Sequence, residues 1–172
     1  MKLLAILLLT GSALAFAAAT NWKIAPGYSI KWSTTGDAAG IFKDFNGNIA
    51  FDAGNLAASK FDVTIQVATL NTGNGLMNTH AKSAEWLDAK KYPTIQFTSK
   101  SISKAGAGYQ ATGDLSMHGV TRSINIPFTF QQTASGATFH GTFKVNRLDF
   151  KIGKPGDVDE SIEVEVNVPV TK

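Results

Sequence analysis

The chain contains no cysteine. Disulfides are therefore excluded as a source of stability, and so are thiolate nucleophiles, thiolate metal ligands and a lipid-modified N-terminal cysteine. Arginine is scarce: Arg122 and Arg147 are the only two, and the formal net charge is +3. Lysines are scattered through turns, as at Lys90-Lys91, Lys100 and Lys104, and form no basic stripe. Nucleic acid is accordingly not an expected partner. Histidine is limited to His80, His118 and His140, at spacings that match no metal-ligand motif, and no metal site is expected.

The motifs of catalysis are missing too. No serine sits in a Gly-x-Ser-x-Gly elbow. Asp157, Asp159 and Glu160 crowd a turn instead of facing each other across a cleft. Gly153-Lys154-Pro155-Gly156 lacks both the glycine-rich lead and the Lys-Ser/Thr ending of a phosphate loop. The expectation is a protein that is not an enzyme and carries no cofactor. Long apolar runs are absent except at the start. There Lys2 precedes an apolar stretch over residues 3–9, followed by small residues up to Ala19. That order is the pattern of a secretory signal, too short to span a bilayer as a helix. Residues 1–19 are read as the signal, with cleavage near Ala19, and residues 20–172 as the exported domain. The expected destination is a bacterial periplasm.

What remains is about 150 residues, enough for one domain with a substantial core. Its dominant signal is alternation. Phe61, Val63, Ile65 and Val67 share one face against Asp62, Thr64 and Gln66. Tyr109, Ala111, Gly113, Leu115 and Met117 oppose Gln110, Thr112, Asp114, Ser116 and His118. The same period of two runs through Tyr28 to Ser33, Thr94 to Thr98, Ser123 to Gln131, Thr138 to Val145 and Ile162 to Val170. These are half-buried strands. Asn46-Gly47-Asn48 offers a tight turn between two of them. His118 and His140 fall on polar faces and should meet solvent. One segment, residues 79–92, places Ala84, Leu87 and Lys91 at helical spacing before Pro93, and predicts one short helix. Arg147 interrupts an apolar approach, so a buried pairing is expected, with Asp149 the nearest carboxylate. About eight such strands fit either a closed barrel or a two-sheet sandwich. The pattern alone does not separate them.

Particular strings do more. Residues 40–47 read GIFKDFNG and residues 49–52 IAFD. Residues 78–80 are NTH, 85–88 EWLD, 91–99 KYPTIQFTS, 113–122 GDLSMHGVTR and 146–150 NRLDF. Together these resemble the YceI-like family of exported proteins over nearly all of the mature chain. The first strand departs from that family, with Tyr28 before Ser29 where a histidine is frequent. The resemblance implies an all-β fold: a lipocalin-like, eight-stranded antiparallel barrel with a short helix. It also implies a long apolar cavity that holds an isoprenoid or other long-chain lipid, tail inward and headgroup near the mouth. On that footing the expected ligand-binding wall is Trp32, Phe42, Val63, Ile65, Phe97, Tyr109, Leu115, Ile126, Phe128, Phe139 and Phe143. His80 and Arg147 are the expected headgroup contacts. An exposed strand or helix face could pair two copies into a homodimer. The alternative is a structural or protein-interaction barrel whose core is filled by its own side chains.

Overall fold

The computed structural model describes residues 18–36 and 38–172. The expected signal segment, apart from Ala18 and Ala19, lies outside the described residues. Among the described residues eleven strands form: β1 (Thr20–Ile24), β2 (Ser29–Ser33), β3 (Ala39–Phe42), β4 (Phe45–Phe51), β5 (Lys60–Gln66), β6 (Leu70–Asn71), β7 (Thr94–Ala105), β8 (Gly108–Met117), β9 (Val120–Gln132), β10 (Ala137–Asn146) and β11 (Ser161–Thr171). All pairings are antiparallel, in the order β1-β4-β5-β7-β8-β9-β10-β11. The ring then closes through Lys23↔Thr171 and Ile24↔Val170. Closure removes the exposed edges that an open sheet would leave.

The barrel has eight staves because three are broken in two. β2 continues beside β11 where β1 leaves it, β3 pairs with β2, and β6 pairs with β3. Each break has a local cause. Pro26-Gly27, with Gly27 at φ 92°, turns the chain between β1 and β2. A 3-10 turn over Val67–Thr69 separates β5 from β6. Between β3 and β4 the amides of Lys43 and Asp44 donate to Thr69 Oγ1 at 3.2 and 3.1 Å. There the Tyr28 hydroxyl donates to the Lys43 carbonyl at 2.9 Å and accepts from the Phe45 amide. Tyr28 thus bridges this kink. The chain does not turn at Asn46-Gly47-Asn48, which runs inside β4. Gly47 is required there for another reason: a Cβ would sit 2.2 Å from the Asp62 carbonyl of β5.

The two ends of the barrel differ. At one end Phe51, 1% exposed, gathers Phe61, Tyr109, Phe128, Phe130 and Phe139, with ring centroids 4.8 to 6.3 Å away. Trp22 closes the layer edge-on to Phe130, and its indole N–H donates to the Phe51 carbonyl at 3.0 Å. Edge-to-face pairs of this kind add ~0.5–1.5 kcal/mol each beyond buried area. The other end carries the longer connections: the one between β2 and β3, the insertion between β6 and β7, and residues 147–160. That insertion holds α1 (Gly75–Ala81), capped by the Asn74 side chain accepting from the amides of Leu76 and Met77. The helix therefore lies earlier than the spacing of Ala84, Leu87 and Lys91 suggested. Residues 82–92 are turns, with Asp88 at φ 44° breaking any continuation. His118 also departs from expectation. It occupies the β8–β9 turn at φ 52°, half-buried against Tyr92, and its Nδ1 donates to the Phe150 carbonyl at 3.0 Å.

Candidate functional site

The inward faces of the staves do not meet in the middle. Val63, Ile65, Ile126, Phe143, Val164 and Val166 all point inward, yet each is only half-buried. Their exposure is to an internal space of about 630 Å³. That volume lies within the ~300–1,000 Å³ typical of small-molecule sites. Its floor is Phe61, Ala111, Phe128 and Phe139, resting on the aromatic layer around Phe51. Ile49, Phe97, Leu115 and the β11 residues Ile162, Val164, Val166 and Val168 form the wall. The outer face is the reverse: Lys31, Gln96, Lys144 and Glu163 stand exposed. A transmembrane barrel has the opposite polarity, and no helix among the described residues is long and apolar enough to cross a membrane.

Of the eleven wall residues expected from sequence, Trp32, Phe42, Val63, Ile65, Phe97, Leu115, Ile126, Phe128, Phe139 and Phe143 line this space. Tyr109 does not. It stacks on Phe128 at 5.4 Å and meets Phe51 edge-on, one layer behind the floor. Its strand position faces inward, but at the end of the barrel that the aromatic rings fill. Residues the sequence reading did not single out also line the cavity, among them Ile30, Phe45, Ile49 and the β11 valines. Their alternation was visible. Which barrel end stays hollow was not.

The mouth lies among Met77, His80, Glu85 and Trp86 on one side and Arg147, Ile152, Asp157 and Val158 on the other. His80 is exposed, with its ring 5.5 Å from that of Trp86. Arg147 is 3% exposed and does not pair with Asp149. Its Nε donates to the Asp159 carbonyl, Nη1 to Ile152, and Nη2 to Lys154 and Val158, at 2.7 to 3.1 Å. Four backbone carbonyls thus take the place of a carboxylate, and the guanidinium serves as the hub that folds residues 152–159 over the barrel end. Its face lies 5.4 Å from the Trp86 ring. Gly153 makes that stacking possible: a Cβ there would come within 2.9 Å of Arg147 Nη1 and 3.0 Å of Trp86 Cζ3.

A second clasp holds the facing turn. The Asp159 carboxylate accepts from the Thr35 hydroxyl and, at 3.0 Å, from the Gly36 amide. These bonds, the Thr35 hydroxyl first, hold the carboxyl below the usual carboxylate range. Among the described residues no group of three or more His, Asp or Glu side chains could hold a metal ion.

Comparison with known proteins agrees with this architecture. The YceI-like domain family matches residues 14–170. A UPF0312 protein of Pseudomonas putida is 35% identical over 160 residues, spanning 88% of this chain and 80% of that one. Among solved structures, Burkholderia cenocepacia BcnA superposes with a TM-score of 0.79 at 27% identity, covering 84% of this chain and 96% of its own. A polyisoprenoid binding domain from Saccharophagus degradans shares the fold at 12% identity, with a TM-score of 0.68 over 89% of this chain and 98% of that domain. The barrel is consistent with binding a lipid or other amphiphile in general.

Proposed function

Because this chain belongs to the YceI-like family and its barrel is hollow, we propose that it binds one long-chain amphiphile, a polyisoprenoid or quinone-like lipid, tail first in the cavity. The observation that carries the reading is the unfilled apolar interior, about 630 Å³ closed by aromatic rings at one end and open at the other. A filled-core barrel would leave Val63, Ile65 and Val166 fully buried, and they are not. The polyisoprenoid binding of the Saccharophagus degradans domain lends support through the shared fold. The role is binding rather than catalysis. Residues 1–19 are read as a signal removed on export, which puts the cavity in the periplasm.

The energetics are simple. Each methylene taken out of water contributes ~0.8 kcal/mol. Ten of them give ~8 kcal/mol, near a micromolar Kd before ordering costs are subtracted. The test is native mass spectrometry of protein purified from periplasm, with identification of any lipid released. A long-chain lipid at one per barrel is the expected result. Empty protein that also fails to take up a long-chain fluorescent probe would overturn the proposal.

A further inference from the structure

The strands set the depth of the cavity and the side chains set its volume, and the two do not match a single straight chain. Depth follows from register. On β11, Val168 faces Phe139 of the floor, and Ile162 faces Val145 just below the mouth. Those six residues of antiparallel strand rise ~20 Å, and the ~40° tilt of a barrel stave reduces that to ~15 Å of depth. An extended hydrocarbon advances ~1.3 Å per carbon, about a third of the ~3.8 Å between successive Cα atoms, so about twelve carbons reach from mouth to floor. The volume allows more. With each methylene close to the ~30 Å³ share of a water molecule, an interior of about 630 Å³ holds about twenty. The surplus width has a cause in the sequence. Between Val168 and Ile162, β11 presents only Val164 and Val166 inward. Opposite Val166 stands Gly141, which adds no side chain to the wall, and a Cβ there would lie 2.6 Å from the Pro127 carbonyl. Ala111 is the one small side chain of the floor.

We propose that the cavity is a size filter for an apolar tail of about twenty carbons, four isoprene units, held bent, and that a longer tail leaves its excess outside the rim. This rests on the reading of the cavity as a lipid site. A methyl-branched tail suits a short, wide space, because each unit puts five carbons into the length of four and fills width that a straight chain would leave empty. Empty apolar volume forfeits contact with the wall. Tail beyond the rim stays in water, so affinity stops rising once the interior is full.

The experiment titrates prenyl phosphates of ten, fifteen, twenty and thirty carbons against a bound long-chain fluorescent probe, at concentrations where each is monomeric. Their common headgroup cancels from the comparison. Kd should fall at least about tenfold with each added unit up to twenty carbons, and by less than about threefold from twenty to thirty. Val166→Trp, which takes up about three methylene volumes, should bring that break down to fifteen carbons, as should Ile126→Trp at a second inward position of the wall. A fifteen-carbon tail has about twelve carbons along its chain and already spans the depth when extended. A break at fifteen carbons in the wild-type protein would therefore overturn the proposal. So would a Kd that keeps falling steeply from twenty to thirty carbons, a break that stays at twenty in either folded variant, or prenyl phosphates that fail to displace a bound probe. If neither the probe nor any prenyl phosphate binds, the lipid-site reading itself fails, a result distinct from those.

Discussion

Val166→Trp separates a hollow barrel from a packed one. Val166 lies midway along β11, inward, half-buried and lining the cavity, with Gly141 and Ile30 as its cross-strand neighbours. One Val166 methyl packs over Gly141, and the cavity lies in front. Replacing valine by tryptophan adds about three methylene volumes, each close to the ~30 Å³ of a water molecule. A ligand that had filled this space loses the burial of about three methylenes, or ~2.4 kcal/mol, which is roughly 60-fold in Kd. In a well-packed core the same substitution would cost ~1–3 kcal/mol of stability through strain. Growth into a void should cost less than ~1 kcal/mol on that scale. The assay pairs titration of a long-chain fluorescent probe with urea unfolding of the empty protein. Weak binding with a nearly unchanged urea midpoint is the expected pair of results. Unchanged affinity, or a large loss of stability with no effect on binding, would refute the argument that this space is the site.

Three further outcomes follow from the same geometry. Phe51→Ala removes the centre of the aromatic layer at a 1% exposed position, and should cost ~3–5 kcal/mol by urea denaturation. Arg147→Met leaves the carbonyls of Ile152, Lys154, Val158 and Asp159 without their donor, for a loss on the order of 3 kcal/mol. Limited proteolysis should then cut within residues 152–159. Asp159 has a folded-state pKa depressed by Thr35 and Gly36. Its stabilising contribution is present above the unfolded-state value of about 3.9 and is lost as pH falls through the lower folded value. Asp159→Asn should therefore flatten the acid side of the stability profile and leave its neutral-to-basic shape unaltered, as read from unfolding midpoints between about pH 2 and pH 7.

The alternation of β5, β8, β10 and β11 was readable because one face of each meets water and the other does not. Period two survives whether the inside is packed or hollow, and for that reason it could not distinguish a core residue from a cavity wall. Tyr109 and Phe97 share the same pattern, yet one sits in the aromatic layer and the other on the wall. That difference is set by height along the barrel, which depends on register between distant strands. The mouth was least legible. Trp86 lies among turns whose course follows from Asp88 at positive φ, and Arg147 found backbone carbonyls where its own strand suggested Asp149. Such contacts come from loops meeting across the barrel end, and no local spacing encodes them. The helix was displaced for a related reason: Asn74 starts it early, and the later Ala/Leu/Lys spacing was fortuitous.

The aromatic layer around Phe51 makes the barrel a blind pocket with one doorway. A cargo that goes in tail first must back out headgroup first through the same opening. Loading and unloading are then mutually exclusive events at one face of the protein. On the proposed lipid reading, whatever delivers the ligand and whatever takes it away would have to use the Met77–Trp86–Val158 rim in turn, because the pocket has no second opening at the Phe51 end.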